Sequence, residues 1–289
     1  MTPHGAWDRA RLVAVYGLVV LVGAGAFLYP FWLPRNAISS NAHAGDAPLV
    51  AAAIGVLVVV AVTLELRRGT MNGATVAVLG VLSATAGLLR LVDLPGGGSG
   101  IFFLVVLAGA AFGPRFGMLL GLCAMATSAV VTGGIGPWLP FQMLALGWMG
   151  GTAGLAGRAT RHLPPLAEVL ALAGFGWVWG FLFGAIMNLW FWPFAVGEGP
   201  LSWNPGLSLG ATLSRYRAFY VATSLAWDAA ASFTNAVLIG VTGRPLLASM
   251  RRVAGRLEPV VELVELVELS GHHPGRAGGA LSVEGASAG

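Results

Sequence analysis

Between Leu12 and Leu33 the chain runs without a single charged side chain. At about 1.5 Å of helical rise per residue, that stretch alone covers the roughly 30 Å of a bilayer's hydrocarbon core. Arg9 and Arg11 precede it, as they would precede a secretory leader. Its apolar run is longer than a leader's, however, and no small-x-small cleavage signal follows between Tyr29 and Arg35. It therefore reads as a retained helix. The rest of the chain agrees: 56% of residues are hydrophobic and 10% charged, where soluble domains carry about a quarter charged. In lipid the backbone polar groups must be satisfied within the chain, which favours helices for runs of this length.

Apolar runs bounded by charge, glycine or proline predict helices near 12–33, 47–66, 73–92, 101–113, 115–132, 138–157, 166–192 and 216–243. The expected fold class is all-α, a polytopic transmembrane helical bundle. The run at 101–113 is too short to cross upright. Gly113-Pro114-Arg115 turns it directly into the next, so the pair is expected deep in the bundle, shielded by protein. Eight crossings place both termini on one side. That side collects Arg9, Arg11, Arg67, Arg68, Arg115, Arg158, Arg161, Arg244, Arg251, Arg252 and Arg256, against Arg35, Arg90, Arg215 and Arg217 on the other. The positive-inside rule then makes both termini cytoplasmic. The net charge of +4 is accounted for by this topology and implies no nucleic acid.

On this map 1–71 holds two N-terminal helices and 72–243 a six-helix core. Segment 244–269 carries Glu258, Glu262, Glu265 and Glu268 at helical spacing among Val and Leu, a cytoplasmic amphipathic helix, and 270–289 is a disordered tail. Three segments rich in glycine and aromatics fall on the outer side: PGGGSGIFF at 95–103, GGIGPWLPFQM at 133–143, and 190–216.

No enzyme is expected. The chain has no HExxH, no Walker motif and no lysine at all, since its sixteen basic residues are arginines. The histidines are His4, His43, His162, His272 and His273, none inside a predicted span, and Cys123 stands alone. No metal or cofactor is implied. Uphill transport would need an ion gradient or a partner's energy. Asp228 falls about halfway along the last predicted span, with Ser232, Thr234 and Asn235 nearby. Either it hydrogen-bonds a neighbouring helix or Arg90, or it couples an ion or touches a ligand.

Two rows of small residues predict close helix contact: Gly113, Gly117 and Gly121 on one helix, Gly80 and Ala84 on another. In lipid, backbone approach supplies what the hydrophobic effect supplies in water. Such rows serve either packing within the chain or a partner's helices. The aromatics Phe102, Phe103, Trp138, Phe141, Trp190, Phe191, Trp192 and Trp203 gather on the outer side with Gln142 and Asn188. An interfacial belt is one reading. A pocket for an uncharged or weakly charged, partly aromatic molecule is the other.

The run from Leu88 to Leu155 resembles the substrate-binding (S) components of energy-coupling factor transporters, the vitamin importers of prokaryotes. The matching features are Arg90 at a helix end, a short helix, the Gly113-Pro114-x-x-Gly117 turn, a small-residue helix, and Gly136-Pro137-Trp138-x-Pro140-x-Gln142-Met143. The last segment is most similar to the cobalamin group. The resemblance covers about 72–243 and implies that the protein is a membrane-embedded capture subunit. Such a subunit binds its vitamin at the outer face of the cell membrane and works with a transmembrane coupling subunit and ABC ATPases. The two N-terminal helices and the segment after Arg244 depart from the family pattern. The expected ligand contacts are Arg90, Phe102, Trp138, Gln142, Asn188, Trp192 and Asp228. The expected partner-packing residues are Gly80, Ala84, Gly113, Gly117 and Gly121. A queuine-like base, riboflavin or a thiamin precursor are alternative ligands, and a solitary ion-coupled carrier using Asp228 is the alternative mechanism.

Overall fold

The computed structural model describes residues 3–33, 43–92, 94, 98–195 and 199–257. The repeat of Glu258, Glu262, Glu265 and Glu268 and the tail at 270–289 lie outside the described residues. Among the described residues nine α-helices follow in order: α1 Pro3–Leu28, α2 Ala47–Arg67, α3 Gly73–Leu88, α4 Gly100–Phe112, α5 Pro114–Thr132, α6 Leu139–Thr160, α7 Pro165–Phe191, α8 Leu209–Thr223 and α9 Leu225–Leu257. Among the described residues, six helices are long and apolar enough to cross a membrane: α1, α2, α3, α5, α7 and α9. The chain is an all-α bundle and a multi-pass membrane protein.

The short helix α4 lies deep, as its length predicts. Ile101, Val105, Val106, Leu107 and Ala108 are fully buried. Gly113 makes the turn into α5: it closes α4 through its N–H to the Gly109 carbonyl and has φ 97. That backbone conformation suits glycine, and Pro114 in the next helix's first turn gives up an N–H that needs no partner there. The hairpin wraps the glycine face of α6. A Cβ on Gly117 would overlap the Gly150 carbonyl oxygen, one on Gly121 the Leu146 carbonyl, and one on Gly154 the backbone of Gly113 and Pro114. The row of Gly113, Gly117 and Gly121 was expected to serve partner packing. The structure corrects this: Gly117 and Gly121 are spent inside the chain, backbone against backbone, and Gly113 is a turn. Gly80 and Ala84 behave otherwise. Both are exposed on α3, and a Cβ on Gly80 meets open space.

The predicted helix at 216–243 is two helices. The chain breaks at Ser224, whose φ of −129° and ψ of −30° leave the helical region. The reason is a side-chain exchange across to α7. Asn188 Nδ2 donates to Ser224 Oγ at 2.8 Å, and Ser224 Oγ lies 3.1 Å from Asn188 Oδ1 to return the bond. Helix α9 then runs unbroken through Arg244 and Pro245 to Leu257, so the boundary expected at 243 falls inside a helix. At about 1.5 Å per residue its 33 residues exceed a bilayer's core.

Two ion pairs pin the arginine-rich end. Arg115 reaches the buried Glu65 at 3.0 Å, and Tyr16 and Thr70 hydroxyls donate to the same carboxylate. Arg251 holds the buried Glu168 with two hydrogen bonds, at 2.8 and 2.5 Å. A cavity of about 210 Å³ opens beside the first pair, lined by Glu65, Thr70, Arg115 and Arg158. Neither pair was anticipated, because the arginines alone explained topology.

Candidate functional site at the aromatic end

The opposite end of the bundle holds the candidate site, assembled from α6, α7, α8 and the start of α9. Its floor is a line of polar groups on α9 set into a glycine row on α7. Gly176 faces Asn235, Gly180 faces Ser232 and Gly184 faces Asp228, each so closely that a Cβ would overlap the partner side chain. Asn235 donates to the Gly176 carbonyl at 2.8 Å. Ser232 Oγ, Asn235 Oδ1 and Asp228 Oδ2 are buried without a hydrogen-bond partner. Such unpaired groups cost roughly 1–3 kcal/mol each and call for a reason.

Asp228 is the uppermost of these. The prediction set it halfway along the last span. The structure places it in the first turn of α9, because the break at Ser224 moves the helix start to Leu225. Its amide donates to the Ser224 carbonyl at 2.9 Å. The Tyr220 hydroxyl lies beside its carboxylate. The Tyr216 hydroxyl donates to the Ala185 carbonyl one turn away. Asn188 and Asp228 are thus brought into one polar cluster, with Tyr216, Tyr220 and Ser224 as members that the sequence reading missed.

Trp192 is not available to a ligand. It is 1% exposed, and its Nε1 donates to the Leu201 carbonyl at 2.7 Å. It anchors a small core with Trp203 and Phe219 that ties the segment after α7 to α8. Burial and a used N–H correct its expected stacking role.

The GGIGPWLPFQM stretch builds the neighbouring rim. Gly133, with φ 66, ends α5, and the Gly134 N–H reaches back to the Ala129 carbonyl at 2.9 Å, a left-handed helix stop. Trp138 folds its ring over Gly136, where a Cβ would overlap it, and remains 39% exposed. Its carbonyl accepts from the Gln142 N–H at 2.9 Å, which starts α6 with the Gln142 side chain half-buried in the first turn. Arg90 lies in the turn that closes α3 and donates to Met125 Sδ at 3.2 Å, a weak acceptor. Phe102 packs on Phe183 across the α4–α7 contact, with ring centroids 4.9 Å apart. The candidate residues thus form separate patches of one end: Trp138 with Gln142, Asn188 with Asp228, Arg90 on α5, and Phe102 against α7.

A further patch escaped the sequence reading. His43, in the turn before α2, is 2% exposed and sits among four aromatic rings. The ring centroids of Phe141, Phe194, Tyr29 and Trp190 lie 4.4, 4.6, 5.7 and 5.8 Å away. His43 Nδ1 lies 2.7 Å from Asp46 Oδ2. Burial lowers the His43 pKa below the ordinary histidine value, and Asp46 partly offsets the effect. It lies in a polar stretch between two apolar runs, with Asn41 and Asp46 nearby, so nothing local marked it for burial.

Comparison of the chain with protein-family models, curated proteins and solved structures finds no match.

Proposed function

We propose that the chain is the substrate-capture subunit of an energy-coupling factor importer, with cobalamin as the first ligand to test. The observation that carries this reading is the polar cluster of Asn188, Tyr220, Ser224 and Asp228. It is set at the same end as Trp138, Gln142 and Arg90, and its Asp228 Oδ2 is buried with no hydrogen bond formed. Aromatic faces would give flat apolar contact while the few polar groups fix orientation. Arg90 would hold a polar or anionic group, and Gln142 with Asn188 would hydrogen-bond the ligand. By the positive-inside rule the arginine-rich end faces the cytoplasm of a prokaryotic cell and the aromatic end faces outward. Without a lysine the chain has no Walker site, so the energy comes from ABC ATPases through a coupling subunit. No chemistry on the substrate is proposed.

The test is ligand affinity of the purified protein. Cobalamin, a queuine-like base, riboflavin and a thiamin precursor are titrated against wild type and against Arg90→Ala, Trp138→Ala, Gln142→Ala and Asp228→Asn. One of them should bind, and at least two substitutions should weaken it tenfold or more. Unchanged affinity in all four variants places the site elsewhere.

A second reading has its own observation. Asp228, Ser232 and Asn235 descend α9, each with one buried oxygen that forms no hydrogen bond, the arrangement a proton-coupled carrier would use. Uptake that persists in a host lacking the ATPases and collapses with the proton gradient would select it.

A further inference from the structure

The contact around His43 joins two parts of the chain. The turn at 43–46 belongs to the N-terminal pair, α1 and α2. The walls come from the bundle: Phe141 from α6, Trp190 from α7 and Phe194 from the turn after it, with Tyr29 at the end of α1. Three features separate this residue from an ordinary core histidine. First, its backbone has φ 56, the left-handed region that L side chains enter at a cost. Second, His43 Nε2 is buried and forms no hydrogen bond, although the Trp190 backbone lies beside the ring. Third, the box contains another buried nitrogen in the same condition, Trp190 Nε1. A packing residue under selection for stability alone would have no reason to combine a strained backbone with two unmet polar atoms. A flat apolar filler such as Phe would satisfy the same walls.

The chemistry of the box is specific. Its faces are aromatic, with the Trp190 ring at an interplanar angle of 22° to the imidazole. One edge offers an anionic acceptor, Asp46 Oδ2, at 2.7 Å from Nδ1. Another wall carries an N–H with nothing to donate to. Aromatic faces, an acceptor and a free donor select a flat heterocycle that carries its own N–H and an acceptor atom. The imidazole of His43 meets the first two requirements and leaves the donor unmet.

We propose that this box is a ligand subsite for a flat N–H-bearing heterocycle, and that His43 is a tethered occupant which such a ring displaces. The inference deepens the capture reading and rests on it for the natural ligand, since Phe141 adjoins Gln142 on α6. It gives the N-terminal pair a role: α1 and α2 set the effective concentration of the internal competitor.

The experiment uses the full-length purified protein and 4-methylimidazole, the free equivalent of the histidine side chain, with benzene as a control that lacks nitrogen. Binding is read by ligand-observed NMR and by thermal shift, and displacement of the histidine by the NMR signals of the His43 imidazole. Wild type should bind 4-methylimidazole saturably and in preference to benzene, with the His43 imidazole signals shifting in step. His43→Ala should bind it at least tenfold more tightly, as emptied apolar cavities of about 150 Å³ accept benzene. His43→Phe, which keeps the box filled, should lose the binding. No saturable binding to wild type up to the probe's solubility overturns the proposal, even where His43→Ala fails to fold. Equal affinity in wild type and His43→Phe also overturns it, because the ring then binds elsewhere. Loss of vitamin uptake with ring binding intact refutes the importer reading and leaves the box standing. Intact uptake without ring binding does the reverse.

Discussion

The glycine row of α6 and the glycine row of α7 have nearly the same spacing and opposite neighbours. Gly150 and Gly154 of α6 meet the backbone of α5 and of the turn before it, so carbonyl oxygens occupy the space a side chain would take. Gly176, Gly180 and Gly184 of α7 meet side chains instead: Ile239 and Asn235, Ser232, and Asp228. The first arrangement is a closed backbone contact whose use is stability. The second spends the same clearance on seating polar groups, three of whose atoms go unpaired. Small residues in a membrane helix therefore announce closeness, and the neighbour decides whether the closeness is structural or chemical.

The sharpest way to break the comparison is to fill each row. Gly150→Leu should have the largest effect, because its Cβ would run into the Gly117 carbonyl oxygen and neither backbone can yield alone. No folded, monodisperse protein is expected on size-exclusion chromatography, and Gly150→Ala should cost at least about 1–3 kcal/mol of stability. A Gly150→Leu protein that melts as wild type does would show that α6 shifts freely in its cradle.

Gly184→Ala comes next. The added methyl overlaps the Asp228 carboxylate, a side chain that can turn away, so stability should fall by about 1 kcal/mol or less. Ligand affinity should nonetheless fall tenfold or more, as it should for Asp228→Asn, and the double variant should be no worse than either. Titration calorimetry on the three proteins checks this. Additive losses would mean that Gly184 and Asp228 act on the ligand separately.

Much of the first row was legible in the sequence and almost none of the second. Gly113-Pro114, a thirteen-residue apolar run and a chain of glycines dictate a buried hairpin, and the structure builds one. The helical class fared well for the same reason, since apolar length is a local property that the bilayer enforces, but eight crossings were expected and six helices among the described residues are long and apolar enough to cross. What failed was non-local. The break at Ser224 is caused by Asn188, 36 residues away, and no pattern within 216–243 contains it. That break moved Asp228 from mid-span to a helix start. Trp192 looked like a binding aromatic because composition gives no hint that Leu201 takes its N–H. The row of Gly176, Gly180 and Gly184 was visible at four-residue spacing and could have been matched to Asp228, Ser232 and Asn235 on α9. His43 had no readable signal, since its four neighbours come from three distant segments.

The aromatic end also titrates where the glycine rows do not. His43 is held below the usual histidine pKa by burial, with Asp46 opposing. Phe141, Trp190 and Phe194 around it do not titrate. The sign follows. Above the unfolded value of about 6.5 both states hold neutral histidine and stability is flat. As pH falls below 6.5 the unfolded chain takes up a proton that the folded chain resists, and stability drops until the folded value is reached. The loss should be up to about 1.4 kcal/mol per pH unit over that window. It should vanish in His43→Phe, and melting temperatures between pH 7.5 and 5 read it directly. A wild-type slope equal to that of His43→Phe would show that another group titrates.

The smallest effect on the isolated protein should come from the third small-residue face, on α3. Gly80 and Ala84 have the spacing of the other rows but face outward, and a Cβ at Gly80 touches nothing. Gly80→Ala removes a helix-interior glycine and should leave the melting temperature unchanged or raise stability by up to about 1 kcal/mol. Gly80→Leu should be equally harmless to the purified chain and to its affinity for ligand. In lipid the only reason to keep such a face flat is another helix. Under the importer reading, then, Gly80→Leu abolishes uptake and co-purification of the coupling subunit while binding is retained. If uptake survives, the face of α3 meets only lipid and the coupling surface lies elsewhere. A lower melting temperature would instead place α3's small residues in the same class as those of α6.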